Sequence, residues 1–512
     1  MAPHRIAAVG PSNKAKVFII RYGCVSPARL KDMANSFYWY DLETSGTDPK
    51  WDRMVQVAGL RTDQDLNILG DELCTYVHLG DDILPNPDAC LVTGIMPATL
   101  QREGIPEVQA WEEIMRRFTV PETCVVGYNS LRFDDEFVRY GLYRNLFDPY
   151  AREWQNGCSR WDLLDLVRAA GALRREGINW PQSAEGLPVY KLEELTKANG
   201  IGHSNAHDAL ADVHATVAMA RLIKQQQPKL FDYYFALRNK RAVRELLEPY
   251  GGQLLVHVSG MNPRERFGVA PVVSLTRHPT NTNSVVVVDL AQDITPLLEQ
   301  SAEEIREQLF TPGQHVRPPL KEVKINRCPF IAPIDVLNDE NSQRLQVNMR
   351  DIKKRARRLK QPGLMQKIRS VYTQPQQRLS EDVDAALYQG FLQDEDRSRC
   401  RHFHASRRQG DWPFMDFSDS RLMPLAQRMK ARGQPELLDA EEQEQWQDFV
   451  AAKLHGEGDW LTLCRFHTRL DELSESLEAA GEATKLEQMQ QLRDYGLALA
   501  DRYPEPIGAD SE

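Results

Sequence analysis

The order of strand-like and helix-like apolar patterns along the N-terminal part of the chain constrains the fold more than any other feature. Phe37-Tyr38-Trp39-Tyr40-Asp41-Leu42-Glu43 is aromatic-rich, alternates in polarity toward its end and runs into the turn-forming Ser45-Gly46, so it reads as a strand. Val55 to Thr62, Leu73 to Val77 and Val125 to Tyr128 read as three more. Helical patterns are expected over Val108 to Phe118, Asp135 to Tyr143, Asp162 to Ala170, Leu192 to Ala198 and Ala209 to Lys224. In the last of these Leu210, Val213, Val217 and Ala220 recur at helical spacing. Three strands in succession, followed by alternating helices and strands, predict an α/β domain with a mixed sheet.

A polar break at Gln225 to Pro228 ends that region. Leu254 to Val258 and Ser284 to Leu290 are β-rich runs joined by Gly, Pro and Asn turns, which predicts a small β-barrel with attached helices. Beyond Gln374-Pro375-Gln376-Gln377 the patterns are helical to the end. The expected divisions are therefore 33–226, 227–377 and 378–512, about three domains for 512 residues at roughly 150 residues each. Met33 leads directly into the first strand, so it is expected to be the true start, with residues 1–32 an extension without function; a short ordered arm is the alternative.

Composition excludes several classes. No apolar run approaches the roughly 18 residues of a membrane helix, and mean hydropathy is -0.51. No GxxxxGK[ST] loop is present, which argues against a P-loop motor. The eight cysteines form no CxxC pair, which argues against a structural zinc site and fits a reducing, cytoplasmic setting. No signal-peptide layout precedes the short run Val17-Phe18-Ile19-Ile20. The net charge of -10 would discourage nucleic-acid binding, but it is unevenly spread. Gln434 to Glu512 holds 19 acidic and 6 basic residues, whereas Arg350 to Arg369 holds nine basic residues and one acid, Asp351.

Three short motifs carry chemistry. Asp41 and Glu43 are two apart on a strand, so both carboxylates leave one face and offer paired hard oxygen ligands of the kind Mg²⁺ or Mn²⁺ takes. Alone, such a pair also fits a solvated strand edge. Gly127-Tyr128-Asn129-Ser130-Leu131-Arg132-Phe133-Asp134 joins a strand to a helix that opens on an acid, and Asp134 could equally be a favourable first-turn charge. Asn205-Ala206-His207-Asp208-Ala209-Leu210-Ala211-Asp212 sets a histidine in the lead-in loop and an aspartate in the second turn of a helix, letting both face one metal cluster. His203 and His214 read as surface or capping residues.

Taken together and in this order, the motifs resemble the DEDDh family of 3′ to 5′ exonucleases, whose catalytic domain has an RNase H-like fold. Asp41, Glu43, Asp134 and Asp212 match the four acidic positions and His207 the histidine; the Asn-x-x-x-Phe-Asp spacing from Asn129 selects Asp134 over Asp135. Ser159-Arg160-Trp161-Asp162, Gly177-Ile178-Asn179-Trp180-Pro181, His257-Val258-Ser259-Gly260-Met261 and Leu387-Tyr388-Gln389-Gly390-Phe391 extend the likeness to the exodeoxyribonuclease I branch, over about residues 37 to 503. The resemblance implies an RNase H-like α/β domain, a Src-homology-3-like barrel and an all-helical C-terminal domain that together clasp single-stranded DNA and release 5′-mononucleotides.

It also implies two Mg²⁺ ions, with Mn²⁺ as a substitute, held by Asp41, Glu43, Asp134 and Asp212, and His207 as proton acceptor for the attacking water. Substrate contacts are expected from Glu43, Phe133, Arg139, Tyr150, Trp154, Arg160, Arg168 and Lys191. Phe133, Tyr150 and Trp154 are more often core aromatics than base platforms. Lys191 stands where the family often has Arg, which keeps the charge and loses a bidentate fork. The implied partners are single-stranded DNA and the C-terminal tail of single-stranded DNA-binding protein; the expected state is a monomer and the expected role DNA repair. The basic run Lys353 to Lys360 fits the DNA path, the acidic-tail dock or a solvated helix face. A proofreading or oligoribonucleotide-degrading relative and a non-catalytic DNA-binding scaffold are the competing functions, the first disfavoured by the length beyond the catalytic domain, the second by the complete acidic set.

Overall fold

Strand β1 (Phe37–Thr44) is the centre of the first sheet. In this computed structural model, which describes residues 33–202, 208–311, 313, 317–373, 380 and 382–506, it pairs antiparallel with β2 (Met54–Thr62), which pairs antiparallel with β3 (Leu73–Tyr76). On its other edge β1 runs parallel to β4 (Cys124–Gly127), and β4 to β5 (Ser159–Asp162). The sheet is thus mixed, in the order β3-β2-β1-β4-β5. Residues 1–32 lie outside the described residues, and with them the proposed extension.

The parallel pairing of β1 with β4 covers only Phe37 to Trp39, opposite Cys124 to Val126. Past that point β1 continues alone on this side, and a crevice opens beyond the carboxyl ends of the parallel strands, the usual ligand position in an open α/β sheet. Strand periodicity then divides its side chains. Tyr38, Tyr40 and Leu42 face a core built with Trp111, Phe118 and Phe137, from helices Glu107–Phe118 and Asp134–Arg144. Phe37 and Trp39 face the opposite core, and Asp41 and Glu43 follow on that same side at the crevice, beneath helix Ala209–Gln226.

A second sheet, all antiparallel in the order β10-β6-β7-β8-β9, comprises β6 (Leu254–Val258), β7 (Val269–Arg277), β8 (Ser284–Asp289), β9 (Leu320–Lys324) and β10 (Phe330–Pro333). It shares one hydrophobic core with the first sheet. Trp161 of β5 meets Phe231, Tyr234 and Phe235 of helix Pro228–Ala236 at 5.2–5.4 Å between ring centroids. Tyr234 in turn contacts Phe330 at 5.8 Å.

The remainder is helical, with Leu422–Gly433, Ala440–His455, Leu463–Ala480 and Ala483–Arg502 the main elements. It docks on the first domain partly through charge. Asp384 accepts from Arg53 and Arg432, each at 2.7 Å; Asp82 accepts from Arg432 at 2.7 Å and from Lys453 at 3.1 Å, and of these five residues all but half-buried Arg432 are buried. Glu136 joins three parts of the molecule: it accepts from Arg139 of its own helix at 3.0 Å, from Arg327 before β10 at 2.5 Å, and from the Tyr388 hydroxyl. No helix among the described residues is long and apolar enough to cross a membrane.

Candidate active site

Asp41 and Glu43 reach the crevice because successive residues of a strand point to opposite faces. Asp212 reaches it from the first turn of helix Ala209–Gln226, whose N-cap is Asp208, accepting from the Leu210 N–H at 3.1 Å. One carboxylate oxygen from each of Asp41, Glu43 and Asp212 lies within 4.8 Å of the others. Asp134, 5 % exposed, opens its helix and accepts from the Leu42 N–H at 3.3 Å, which sets it beside Asp41.

Asp134 depends on a tight turn. Gly127 ends β4 where a Cβ would stand 2.6 Å from the Ser130 Cβ and 3.1 Å from the Tyr40 carbonyl oxygen. Asn129 then adopts φ 68°, a left-handed conformation that Asn tolerates better than most residues. Asp162, the last residue of β5, clamps this turn: its carboxylate accepts from the N–H groups of Asn129 at 2.9 Å, Leu131 at 3.1 Å and Leu164 at 2.9 Å. Burial, together with neighbouring Asp165, pushes Asp162 up to about 6.

Electrostatically, like charges crowd the cluster. Burial first, and then Asp134, Glu43 and Asp212, raise Asp41 well above the usual carboxylate range. Glu43 is pushed up to about 7 by burial, Asp212 and Asp208, and burial raises Asp134 strongly. Among the described residues, none of Asp41, Glu43 and Asp134 makes an ion pair with Lys, Arg or His. Hard oxygen donors this close, with mutual repulsion and little water, fit divalent cations, whose charge would offset both terms.

Asp135 has the opposite surroundings one residue away. It is bound by Arg152 at 2.5 Å and by Arg160, and these guanidiniums overcome burial to hold its carboxyl well below the usual range. His207 lies outside the described residues, as does His203. His214 is 45 % exposed, 4.0 Å from Glu72.

The expected DNA contacts separate into two groups. Arg139 and Arg160 are buried, and both are committed to carboxylates: Arg139 to Glu136 at 3.0 Å and Glu153 at 2.9 Å, Arg160 to Asp135 and to Glu153 at 2.8 Å. Their charge is neutralised within the protein, so the geometry gives them a positioning part. Lys191 is exposed at the start of helix Leu192–Ala198, and Trp154 is 66 % exposed. Tyr150 is half-buried, edge-on to exposed Phe391 at 5.7 Å; Phe133 packs on Phe137 at 5.0 Å; Arg168 is paired with Asp165 at 2.7 Å. In the basic helix Met349–Arg358, Lys353, Lys354, Arg357 and Arg358 are exposed, while Arg355 donates to the Leu290 carbonyl at 2.8 Å.

A mixed sheet with an acidic cluster at the open end of its central strand defines the class. Residues 38–220 match the family described as "Exonuclease", a class of divalent-metal-dependent nucleases. Residues 238–374 match the Exonuclease I SH3-like domain and residues 381–499 the Exonuclease I C-terminal domain. Exodeoxyribonuclease I of Escherichia coli (strain K12) is 43% identical over 442 residues, 84% of this chain and 93% of that protein. The crystal structure of E. coli exonuclease I in complex with a dA16 oligonucleotide superposes with a TM-score of 0.86 at 40% identity, over 91% of this chain and 100% of that one. The zinc-bound form of the E. coli enzyme's complex with single-stranded DNA superposes with a TM-score of 0.85 at 40% identity, over 91% and 100%. The chain belongs to the exodeoxyribonuclease I family.

Proposed function

We propose that the protein removes nucleotides from the 3′ end of single-stranded DNA and releases 5′-mononucleotides. The observation that carries this reading is the half-buried cluster of converging carboxylates at the sheet crevice, which raise one another's proton affinity. Relatives whose structures hold single-stranded DNA support the substrate. Asp41, Glu43, Asp134 and Asp212 would hold two Mg²⁺ ions, or Mn²⁺ in their place, which when bound neutralise phosphate charge and acidify water. The chain's own residues do the rest. His207 would accept a proton from the attacking water, a role suited to an imidazole. Asp162 keeps the Asn129–Leu131 turn, and so Asp134, in place.

Lys191, Arg168, Phe133, Tyr150, Trp154 and Glu43 contact substrate by phosphate pairing, stacking and end recognition, which suits a sequence-tolerant enzyme. Arg139 and Arg160 hold the surrounding helix and β5. The functional units are 33–226, 227–377 and 378–512, with 1–32 dispensable. The protein acts as a cytoplasmic monomer in DNA repair and docks the acidic C-terminal tail of single-stranded DNA-binding protein on a basic surface; the seven cysteines among the described residues are all free, which supports a reducing compartment.

The test is a degradation assay on 3′- and 5′-labelled single-stranded DNA, duplex DNA and RNA, with Mg²⁺ or EDTA. The reading expects Mg²⁺-dependent loss of the 3′ label first, on single-stranded DNA only. Equal degradation of short RNA would move the substrate class, and binding without cleavage would make the protein a scaffold.

A further inference from the structure

Helix Met349–Arg358 shows solvent almost a single sign of charge. Arg350, Lys353, Lys354, Arg357 and Arg358, with Lys360 just past its end, are exposed, and Asp351 is its one acid. Lys353 and Arg357, and likewise Lys354 and Arg358, lie four residues apart, so like charges stack on successive turns and destabilise the helix. Among the described residues none of these six cations has an ion-pair partner; exposed Asp293 only feels the field of Arg355 and Arg358. Other helices of the molecule mix their signs. In Asp394–Arg407, Arg397 pairs with Asp394 and Arg399 with Glu395 and Asp396, each at 3.0 Å; in Leu463–Ala480, Arg469 pairs with Glu472 at 2.6 Å. Solvation alone does not call for the unmixed face of Met349–Arg358, and a polyanion would relieve its repulsion.

The barrel sets this face away from the crevice. Arg355 fastens the helix to the Leu290 carbonyl, just past the end of β8. The opposite end of β8, Ser284, pairs with Lys324 of β9. The turn after β9 is what touches the catalytic domain: the Asn326 carbonyl accepts from Arg160 at 3.2 Å, and Arg327 donates to Glu136 at 2.5 Å. The six residue steps from Ser284 to Leu290 span about 20 Å at roughly 3.3 Å each. The basic face is therefore remote from nucleotides held at the acidic cluster. On its inner side Ile352 and Leu359 are buried in the core, and no exposed side chain of the helix is apolar. A lipid surface or a peptide with an apolar end finds no apolar seat here; a phosphodiester backbone needs none.

We propose that the exposed face of helix Met349–Arg358 is an accessory binding surface for the phosphodiester backbone of the substrate strand, gripping it on the 5′ side of the nucleotides held at the active site. The inference rests on the reading of the protein as a single-strand nuclease. Binding of short and long oligothymidylates, about 6 and about 30 nucleotides, measured in EDTA so that no cleavage intervenes, tests it. Lys353→Gln, Lys354→Gln and Arg357→Gln together exchange exposed cations for a residue of similar helix propensity. The triple variant is expected to bind the long strand about tenfold more weakly at low salt, to lose about 2 from the slope of log Kd against log salt, and to bind the short strand within about twofold of the unaltered protein. The charge-conserving set Lys353→Arg, Lys354→Arg and Arg357→Lys should bind the long strand as the unaltered protein does. Unchanged long-strand binding by the triple Gln variant overturns the proposal, as does equal loss on both lengths, which would put the helix at the crevice. Lost binding of a synthetic Asp-rich peptide, with long-strand binding intact, would make the face an acidic-peptide dock and overturns it too. An unaltered protein that binds neither strand would overturn the substrate reading itself, and this inference with it.

Discussion

Asp41, half-buried, and Asp384, fully buried, each sit in a group of several ionisable side chains, yet their environments act in opposite directions. Around Asp41 the neighbours are Asp134, Glu43 and Asp212, and its affinity for a proton is raised. Around Asp384 they are Arg432, Arg428, Arg53 and Lys453, which overcome its burial and hold it far below the usual range. The Asp384 junction is complete within the protein and acts as a fastening between domains. Around Asp41 the electrostatic neighbours are all acids, and the chain tolerates such crowding where a divalent cation is to bind. Burial alone therefore does not separate a functional acid from a structural one; the sign of its company does.

The largest effect that would break this contrast is kinetic. Asp41→Asn is expected to lower cleavage on the order of 10³-fold or more, measured as single-turnover release of nucleotide, while thermal stability in EDTA is unchanged or higher because a repelling charge is gone. A marked fall in stability would give Asp41 the same structural part as Asp384. Asp384→Asn should do the reverse, destabilising by about 3–5 kcal/mol through the cations left unpaired, with turnover per folded molecule retained. Denaturant unfolding alongside active-site titration separates the two effects.

Acid sharpens the comparison further. Asp82 and Asp384 have depressed folded values, so their contribution is fully present above the unfolded carboxylate range and is lost only as pH falls through the folded values. Acid sensitivity above that range should come instead from His257 and His404, which burial lowers to about 4. Each has a buried Nδ1 with no partner, and the other ring nitrogen of His404 meets the Asn145 carbonyl at 3.0 Å. Below about pH 6.5 the unfolded chain binds protons that these rings refuse in the fold. Stability should then fall by about 2 kcal/mol per histidine between pH 6.5 and 5. His404→Gln should flatten part of that slope, as read from unfolding midpoints across the range.

The smallest expected effect is a rise of about 3 °C in melting temperature on adding Mg²⁺. It should vanish in Asp41→Asn and persist in Asp384→Asn; a rise of equal size in Asp41→Asn would place the stabilising ion elsewhere.

Local pattern made the acidic pair readable, since a strand's period of two puts Asp41 and Glu43 on one face whatever surrounds them. The mixed sheet was readable for the same reason, through four of its five strands. β5 is the exception: Ser159–Asp162 is short and carries Arg and Asp, and its end merges in pattern with the helix that begins at Leu163. β7 was hidden by Pro271. Asp162 caps the helix that follows it, but its hold on Asn129 and Leu131 spans more than thirty residues and exists only in the fold. The same holds for Arg139 and Arg160, whose type suggests phosphate and whose partners turn out to be Glu136, Glu153 and Asp135.

Glu136 stands two residues beyond Asp134, on the same first turn of helix. Its carboxylate is gripped at once from the barrel, through Arg327, and from the segment leading to the helical domain, through Tyr388. The three parts of the molecule are thereby geared to one another at a single tooth. A backbone shift in either outer part pulls on a turn whose neighbouring acid borders the reaction centre, so wear at a distant surface would register there as lost alignment.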